Sequence, residues 1–386
     1  MIKKVLFTAT IDGHIKAFHI PYLKWFKDEG WETYVAANSL DDNPAEGEDL
    51  GCEIIPYCDH KYNIDIQRSP FDRRNLKAYK QLKSILKSNK FDLIHCHTPM
   101  GGVITRMAAN KYRKNGTMVF YTAHGFHFYK GGPKSARLMY YPMEKFLAKK
   151  TDVLITLNHE DYDIAGCKFR PGCVEYVPGV GIDTKEFIKD QGSRDRIRNE
   201  FFVAEDKILL LSVGELNENK NHEVIIRALG KLQNENIIYI VCGDGILREH
   251  LSALARSEGA TDRFILAGYR EDIIAFYSAA DIFCHSSFRE GLPVSLMQAM
   301  ATGLPVICSK IRGNVDLVSD GIEGFLVSGN DIKTYKEKID LLGADPEKRY
   351  AMGKAAGEKA ALFDLEIVME DMIRIYKNKI QTKGKL

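Results

Sequence analysis

The stretch from Arg289 to Ser309, Arg-Glu-Gly-Leu-Pro-Val-Ser-Leu-Met-Gln-Ala-Met-Ala-Thr-Gly-Leu-Pro-Val-Ile-Cys-Ser, concentrates residue types that can hold a charged ligand. Its order predicts a glycine turn, a short helix, a glycine stop and a buried strand. Gly291 allows backbone to approach a ligand, Pro293 suits a first helical turn because it has no NH to lose, and Gly303 fits just past a helix end. The free NH groups of that helix start, near Leu292 and Val294, would face an anion, aided by the helix dipole. Glu290 beside them can accept hydrogen bonds from sugar hydroxyls. A phosphate and a sugar held side by side make a nucleotide-sugar site.

Three more turns leave strands at positions where a ligand could lie. Ser212-Val213-Gly214-Glu215-Leu216-Asn217-Glu218-Asn219-Lys220-Asn221 runs from a buried strand into a helix, and from there Lys220 can reach a phosphate. Read alone, Lys220 is more readily a solvated loop lysine, and its place at a strand's carboxyl end favours the phosphate. Cys242-Gly243-Asp244-Gly245 is a second glycine turn, and Gly268-Tyr269-Arg270 follows the next strand end, where Arg270 or its backbone could hold a base. Singly each is a tight connection; in succession they make a surface for a nucleotide.

The first half carries histidines rather than lysines at its strand ends. Thr8-Ala9-Thr10-Ile11-Asp12-Gly13-His14 leaves the first strand, and Thr122-Ala123-His124-Gly125-Phe126-His127 leaves a later one. A histidine there can donate to a sugar or phosphate, or it can simply fix a loop; His124 is open to both readings, and the structural one is preferred for His14 and His127. His95 and His97 share a strand face, but no third ligand follows at a diagnostic spacing, so no metal is expected. Asp161-Tyr162-Asp163 is an Asp-x-Asp that opens a helix, where acidic residues need no further reason.

Elements must repeat regularly to place these turns. Short apolar runs alternate with amphipathic segments, the pattern of β-α units and parallel sheets. Expected strands in the first half are Val5–Ala9, Thr33–Ala37, Glu53–Ile55, Leu93–Cys96, Met118–Thr122, Val153–Thr156 and Val174–Val177. A second series comprises Ile208–Val213, Ile237–Cys242, Phe264–Ala267, Ile282–Cys284, Val306–Cys308 and Phe325–Val327. With 386 residues the chain exceeds one ordinary core. The expectation is an N-terminal Rossmann-like domain over 1–178 and a second over 179–364, with the turn Pro178–Asp183 starting the linker and a final helix, about 365–386, crossing back onto the first.

Net charge is +2, yet residues 60–150 hold 19 Lys and Arg against 4 Asp and Glu, a local +15 that leaves −13 for the rest. Such a span favours anionic partners such as phospholipid head groups, a lipid-linked diphosphate or nucleic acid. Within it, Phe71–Lys90 has Leu76, Tyr79, Leu82 and Leu86 at helical spacing with basic flanks, which is a core-facing stripe or a membrane-surface helix. No run of about 18 apolar residues lacks charge and no signal-peptide core follows Met1, so a cytoplasmic chain is expected. Its eight cysteines form no Cys-x-x-Cys pair and read as reduced thiols.

Together, the motifs over Val213–Lys220, Gly243–Gly245, Gly268–Arg270, Glu290–Val306, Thr122–Phe128 and Pro178–Asp183 resemble the retaining glycosyltransferases of family four, of the kind that builds bacterial exopolysaccharide and capsule. The resemblance implies a GT-B fold, two doubly wound Rossmann-like domains facing a central cleft. It implies a nucleoside diphosphate sugar donor, a UDP-sugar, no bound cofactor or metal, and a lipid-linked saccharide acceptor at the inner membrane face. The basic span 60–150 would then meet that surface rather than nucleic acid. By resemblance, Glu290 contacts the donor sugar, Lys220 takes charge from the leaving diphosphate and His124 lies near the sugar and acceptor. Gly13, Gly214, Gly243, Gly245, Tyr269, Arg289, Gly291, Leu292, Pro293 and Val294 would line the donor.

The chain departs from the family twice. Gln298 stands where a second glutamate usually binds ribose, and Glu215 replaces an arginine that accompanies the lysine, leaving Arg289 and Arg270 to supply that charge. Family four includes both front-face and covalent-intermediate proposals, and no nucleophile stands out. Two rivals are an epimerase of the same fold, which needs no acceptor, and a non-enzymatic membrane or nucleic-acid binder. A dinucleotide enzyme is disfavoured because no Gly-x-Gly-x-x-Gly follows the first strand.

Overall fold

A computed structural model describes residues 2–39 and 55–383. Two parallel sheets organise them. The first consists of β1 (Lys4–Ile11), β2 (Glu32–Asn38), β3 (His60–Asn63), β4 (Leu93–His97), β5 (Met118–Ala123), β6 (Val153–Thr156) and β7 (Cys173–Tyr176), in the order β3-β2-β1-β4-β5-β6-β7. The second consists of β8 (Ile208–Val213), β9 (Ile237–Cys242), β10 (Phe264–Gly268), β11 (Ile282–His285), β12 (Val306–Ser309) and β13 (Gly324–Val327), ordered β10-β9-β8-β11-β12-β13. Residues 1–177 and 371–386 form one compact unit and 178–370 the other.

Burial on both faces explains why the strands read as continuous apolar runs. In β8, Leu209 and Leu211 pack into one core with Phe283 and Met297, while Leu210 points into another with Ile225 and Tyr239. In the first unit, Gly102 lets the helix Pro99–Lys114 press against the sheet, for a Cβ there would stand 2.4 Å from the Tyr121 ring. Within the second unit, the entry turn meets the exit: Ile182 N donates to Phe363 O at 3.1 Å and Leu365 N to Ile182 O at 2.8 Å.

Two local expectations change. The strand expected at Glu53–Ile55 lies mostly outside the described residues, as does Cys52; the edge strand pairing with β2 is instead β3, His-Lys-Tyr-Asn. Its polar sequence hides it, because its buried member is Lys61, whose Nζ lies 2.7 Å from Asp12 Oδ2. The basic helix spans Arg74–Ser88 but buries Asn75, Ala78, Leu82, Ile85 and Leu86, leaving Leu76 68% exposed. The inward stripe therefore runs one residue away from Leu76.

The last helix, Leu365–Lys383, carries Tyr376 into the first unit, where its hydroxyl meets His95 Nδ1 at 2.6 Å and its ring stacks on Trp25. No described helix is long and apolar enough to cross a membrane. The seven described cysteines are free thiols, and five of them are buried.

Candidate active site

In the second sheet, chain direction across the sheet reverses between β8 and β11, so the loops leaving these two strands open a crevice at their carboxyl ends. Lys220 comes from the first loop and Glu290 from the second; Lys220 Nζ lies 2.7 Å from Glu290 Oε1. The loops are stitched to each other. Asn217 accepts from Lys220 N at 3.1 Å, Ser286 Oγ reaches the carbonyls of Lys220 and Asn221 at 3.0 and 2.9 Å, and Phe288 N donates to Asn219 O at 2.8 Å. Asn221 adopts a left-handed conformation, φ 50°, which an asparagine tolerates better than most residues.

Burial alone would push the Glu290 carboxyl up, but neighbouring His285 and the Lys220 charge outweigh it and hold the group well below the usual carboxylate range. His285 Nε2 is 3.5 Å from Glu290 Oε1, a close approach without hydrogen-bond geometry. Burial pushes the His285 imidazole down, with the Glu290 carboxylate acting in the opposite sense. The pair is thus a carboxylate and an ammonium in a largely desolvated crevice. An anionic ligand can take the ammonium and release the carboxylate for hydroxyl groups.

Glycine turns form the adjoining ledge. The Lys220 stem packs on Gly214, where a Cβ would meet Lys220 Cε at 3.0 Å. A Cβ on Gly243 would stand 2.0 Å from Gly214 O, and one on Gly245 would stand 2.6 Å from Leu216 O. Gly243 N donates to Gly268 O at 2.7 Å, joining the ends of β9 and β10. Tyr269 is 78% exposed beyond this ledge. Arg270 is committed elsewhere: it pairs with Glu200 at 2.7 Å and Asp272 at 2.9 Å and covers the Phe276 ring. Glu215 is exposed, and its backbone carbonyl accepts from Asn217 N at 2.9 Å.

The helix after β11 is Val294–Ala301, with Pro293 just outside it as the N-cap rather than in its first turn. Gly303, φ 74°, follows the C-cap Thr302, as its left-handed conformation requires. Leu292 is buried, and the Arg289 side chain is exposed while its carbonyl accepts from Asn219 Nδ2 at 3.0 Å. Gly291 O lies against Gly313, where a Cβ would meet it at 2.2 Å. The Gln298 carbonyl oxygen is 3.1 Å from the Tyr277 hydroxyl, which can donate to it, so the amide NH2 is the group left to meet a ligand.

Sequence reading missed His285, Tyr277 and Arg312. Arg312 is buried and its Nε donates to Glu290 O at 3.1 Å, fixing the backbone that carries the carboxylate. Its only sequence signal was a position four residues beyond Cys308, after the next strand.

The first unit has its own reversal, between β1 and β4. Gly13 sits inside the helix Asp12–Phe18 with no positive φ, so it does not form a glycine turn. His14 Nε2 lies 3.2 Å from His124 Nε2, and His124 Nε2 lies 3.4 Å from His97 Nδ1. Burial pushes the His14 imidazole down to about 4 and those of His19, His97 and His124 well below their ordinary value. His95 shares a face with His97, as expected, their ring centroids 4.1 Å apart, and its nitrogens meet Tyr376 and Thr122. His127 lies against the Tyr140 ring. Asp161 is buried and accepts from Phe126 N and Asn158 Nδ2, both at 3.0 Å, which anchors the loop after β5.

Comparison with known proteins matches residues 193–359 to the family of glycosyl transferases group 1 and residues 4–158 to a glycosyl transferase 4-like family. The chain is 39% identical over 380 residues to the putative glycosyltransferase EpsD of Bacillus subtilis, covering 97% of each. It is 32% identical to the UDP-Gal:alpha-D-GlcNAc-diphosphoundecaprenol alpha-1,3-galactosyltransferase of Escherichia coli, over 68% of this chain and 70% of that one. Anabaena HepE, solved in complex with UDP, shares the fold with a TM-score of 0.79 at 19% identity, covering 97% of this chain and 100% of its own.

Proposed function

This chain is a member of the family four, group 1 glycosyltransferases with a GT-B fold, and from that premise we propose that it moves a sugar from a UDP-sugar, with retention at the anomeric carbon, onto a lipid-linked saccharide in extracellular or capsular polysaccharide synthesis. The observation that carries this reading is the Lys220–Glu290 pair at the β8/β11 crevice, 2.7 Å apart and next to the N-terminus of the helix Val294–Ala301. A diphosphate entering there takes Lys220 and the helix amides, and Glu290 turns to the sugar hydroxyls.

As the glycosidic bond to the diphosphate breaks, negative charge grows on the leaving oxygen. Lys220 and the amides meet that charge in a preorganised site, so the donor side uses protein groups rather than a cofactor. Gln298 offers its amide protons to the ribose, and His124 serves the sugar and acceptor.

The Escherichia coli relative, whose name specifies a UDP-Gal donor and a diphosphoundecaprenol-linked acceptor, supports this substrate class. An acceptor of that kind lies in a membrane, and the +15 span at 60–150 suits docking on its anionic inner face from the cytoplasm, with no role for nucleic acid. The test measures UDP release from UDP-sugars with and without a lipid-diphosphate-linked sugar, and reads the product's anomeric configuration by NMR. Acceptor-dependent release with retention is expected. Isomerised sugar with no UDP released would make the protein an epimerase.

A further inference from the structure

Four imidazoles, among them the His124 placed near the sugar and acceptor, converge at the carboxyl end of the first sheet. His14 lies in the helix after β1, His19 joins that helix to Ile20–Asp28, His97 ends β4 and His124 follows β5. One ring nitrogen from each lies within 4.8 Å of the others. Two of the edges are 3.2 Å, His14 Nε2 to His124 Nε2, and 3.4 Å, His124 Nε2 to His97 Nδ1. Nitrogens bound tetrahedrally to zinc at about 2.0–2.1 Å stand roughly 3.3–3.4 Å apart. The edges are those of ligands sharing one ion.

Hydrogen bonding does not account for the cluster. His124 Nε2 faces two other ring nitrogens, and with at most one proton it can satisfy only one of them as donor. Both nitrogens of His19 and Nε2 of His97 are buried without a hydrogen-bond partner among the described residues. Buried polar atoms are nearly always paired, and an ion that takes one nitrogen from each ring would give His19 a partner that no described residue supplies. The Phe7 ring, 5.9 Å from His97 and 6.1 Å from His19, supplies an apolar floor. On the other side His14 lines a cavity of about 310 Å³ with Thr98, Met100 and Tyr140, which gives an ion a way in.

We propose that His14, His97 and His124, with His19 as the fourth ligand, bind one divalent transition-metal ion of the zinc class. Imidazole nitrogens suit that class, and the hard ions magnesium and calcium prefer oxygen. The site departs from the absence of metal expected from sequence, because its ligands come from separate elements. It does not depend on the transferase reading, since the test below reads metal and not sugar transfer.

The experiment titrates Zn2+ and Co2+ into the untagged, full-length, chelator-treated protein, following stoichiometry by elemental analysis and the visible absorption of Co2+. One ion per chain with a tetrahedral Co2+ spectrum is expected. His14→Ala and His19→Ala, each checked for native circular dichroism, should weaken binding by at least about 10–100-fold, and Cys167→Ser, which removes the exposed thiol, should leave it unchanged. Absence of binding at micromolar ion, or binding that survives both histidine substitutions, overturns the assignment. If both histidine variants fail to fold, the wild-type Co2+ spectrum decides: imidazole-only tetrahedral bands support the site, and octahedral or thiolate bands refute it.

Discussion

Where β8 and β11 part, loops bring a lysine and a carboxylate to 2.7 Å; where β1 and β4 part, the equivalent loops bring imidazoles to 3.2 and 3.4 Å. Both sheets reverse direction next to their first strand, so each opens a crevice at the same topological place. What fills it differs. The second unit offers a fixed positive charge, a fixed negative charge and helix amides, a set matched to a diphosphate and a sugar. The first offers neutral, burial-depressed imidazoles, a set suited to hydroxyl groups or a metal ion. Topology supplies the crevice, and the residues after each strand decide its chemistry.

The charged crevice should be the more sensitive to single substitutions. Lys220→Ala should lower kcat by about 10²–10³-fold, the usual cost of removing one group that stabilises a developing anion. Steady-state kinetics with a lipid-linked acceptor would show it; His14→Ala, in the other crevice, should cost less. Equal losses would erase the contrast.

Gly243→Ala tests the ledge. Its Cβ would stand 2.0 Å from Gly214 O at φ 148°, so the second unit should lose about 2–3 kcal/mol. Urea unfolding monitored by circular dichroism would measure it, and a loss under about 0.5 kcal/mol, the ordinary surface value, would show that the turns are not in contact.

Acid should act on the first unit before the second. His14 is pushed down to about 4 by burial, whereas a free imidazole titrates near 6.5. Below 6.5 the unfolded chain binds more protons than the folded one, so stability present above pH 6.5 is lost as pH falls toward 4, at roughly 1 kcal/mol per pH unit for each imidazole. Glu290 is depressed instead, so its contribution is lost only below about pH 4.3, the free carboxyl value, and the second unit's burial-depressed imidazoles, His222 and His285, are outnumbered by His14, His19, His95, His97 and His124 in the first. Trp25 and Trp31, the only two tryptophans, both lie in the first unit. In chelated protein at pH 5.5, the tryptophan fluorescence transition should therefore precede that of total circular dichroism. Coincident transitions would contradict the assignment.

The smallest effect concerns Gln298. Gln298→Glu turns the 3.1 Å contact with the Tyr277 hydroxyl into a charge-assisted one and gives ribose a carboxylate, so UDP should bind about fivefold tighter. Calorimetry would detect weaker binding if the amide protons matter more.

How far these sites were legible in the sequence depends on how local they are. β6, β8 and β9 match their expected bounds because each is a continuous apolar run closed by a turn. β3 escaped notice, since its buried side chain is a lysine paired with Asp12. Lys220 and Glu290 were found from their places after strands, but their direct pairing was not, because 70 residues separate them. The histidine cluster was missed for the same reason: His95 and His97 share a face as their alternation suggests, but His14, His19 and His124 reach His97 from separate elements. Arg270 was expected at the base and is held by Glu200 and Asp272, partners that no local pattern reveals.

Calorimetric titration of UDP, GDP and ADP into wild-type protein and Lys220→Ala, without added metal, reads the donor site itself. UDP should bind the wild type in preference to the other two and bind Lys220→Ala at least about tenfold more weakly, since a charge-assisted contact to phosphate is worth about 1.5–3 kcal/mol. Equal affinity of the two proteins for UDP would contradict a donor site built on the Lys220–Glu290 pair.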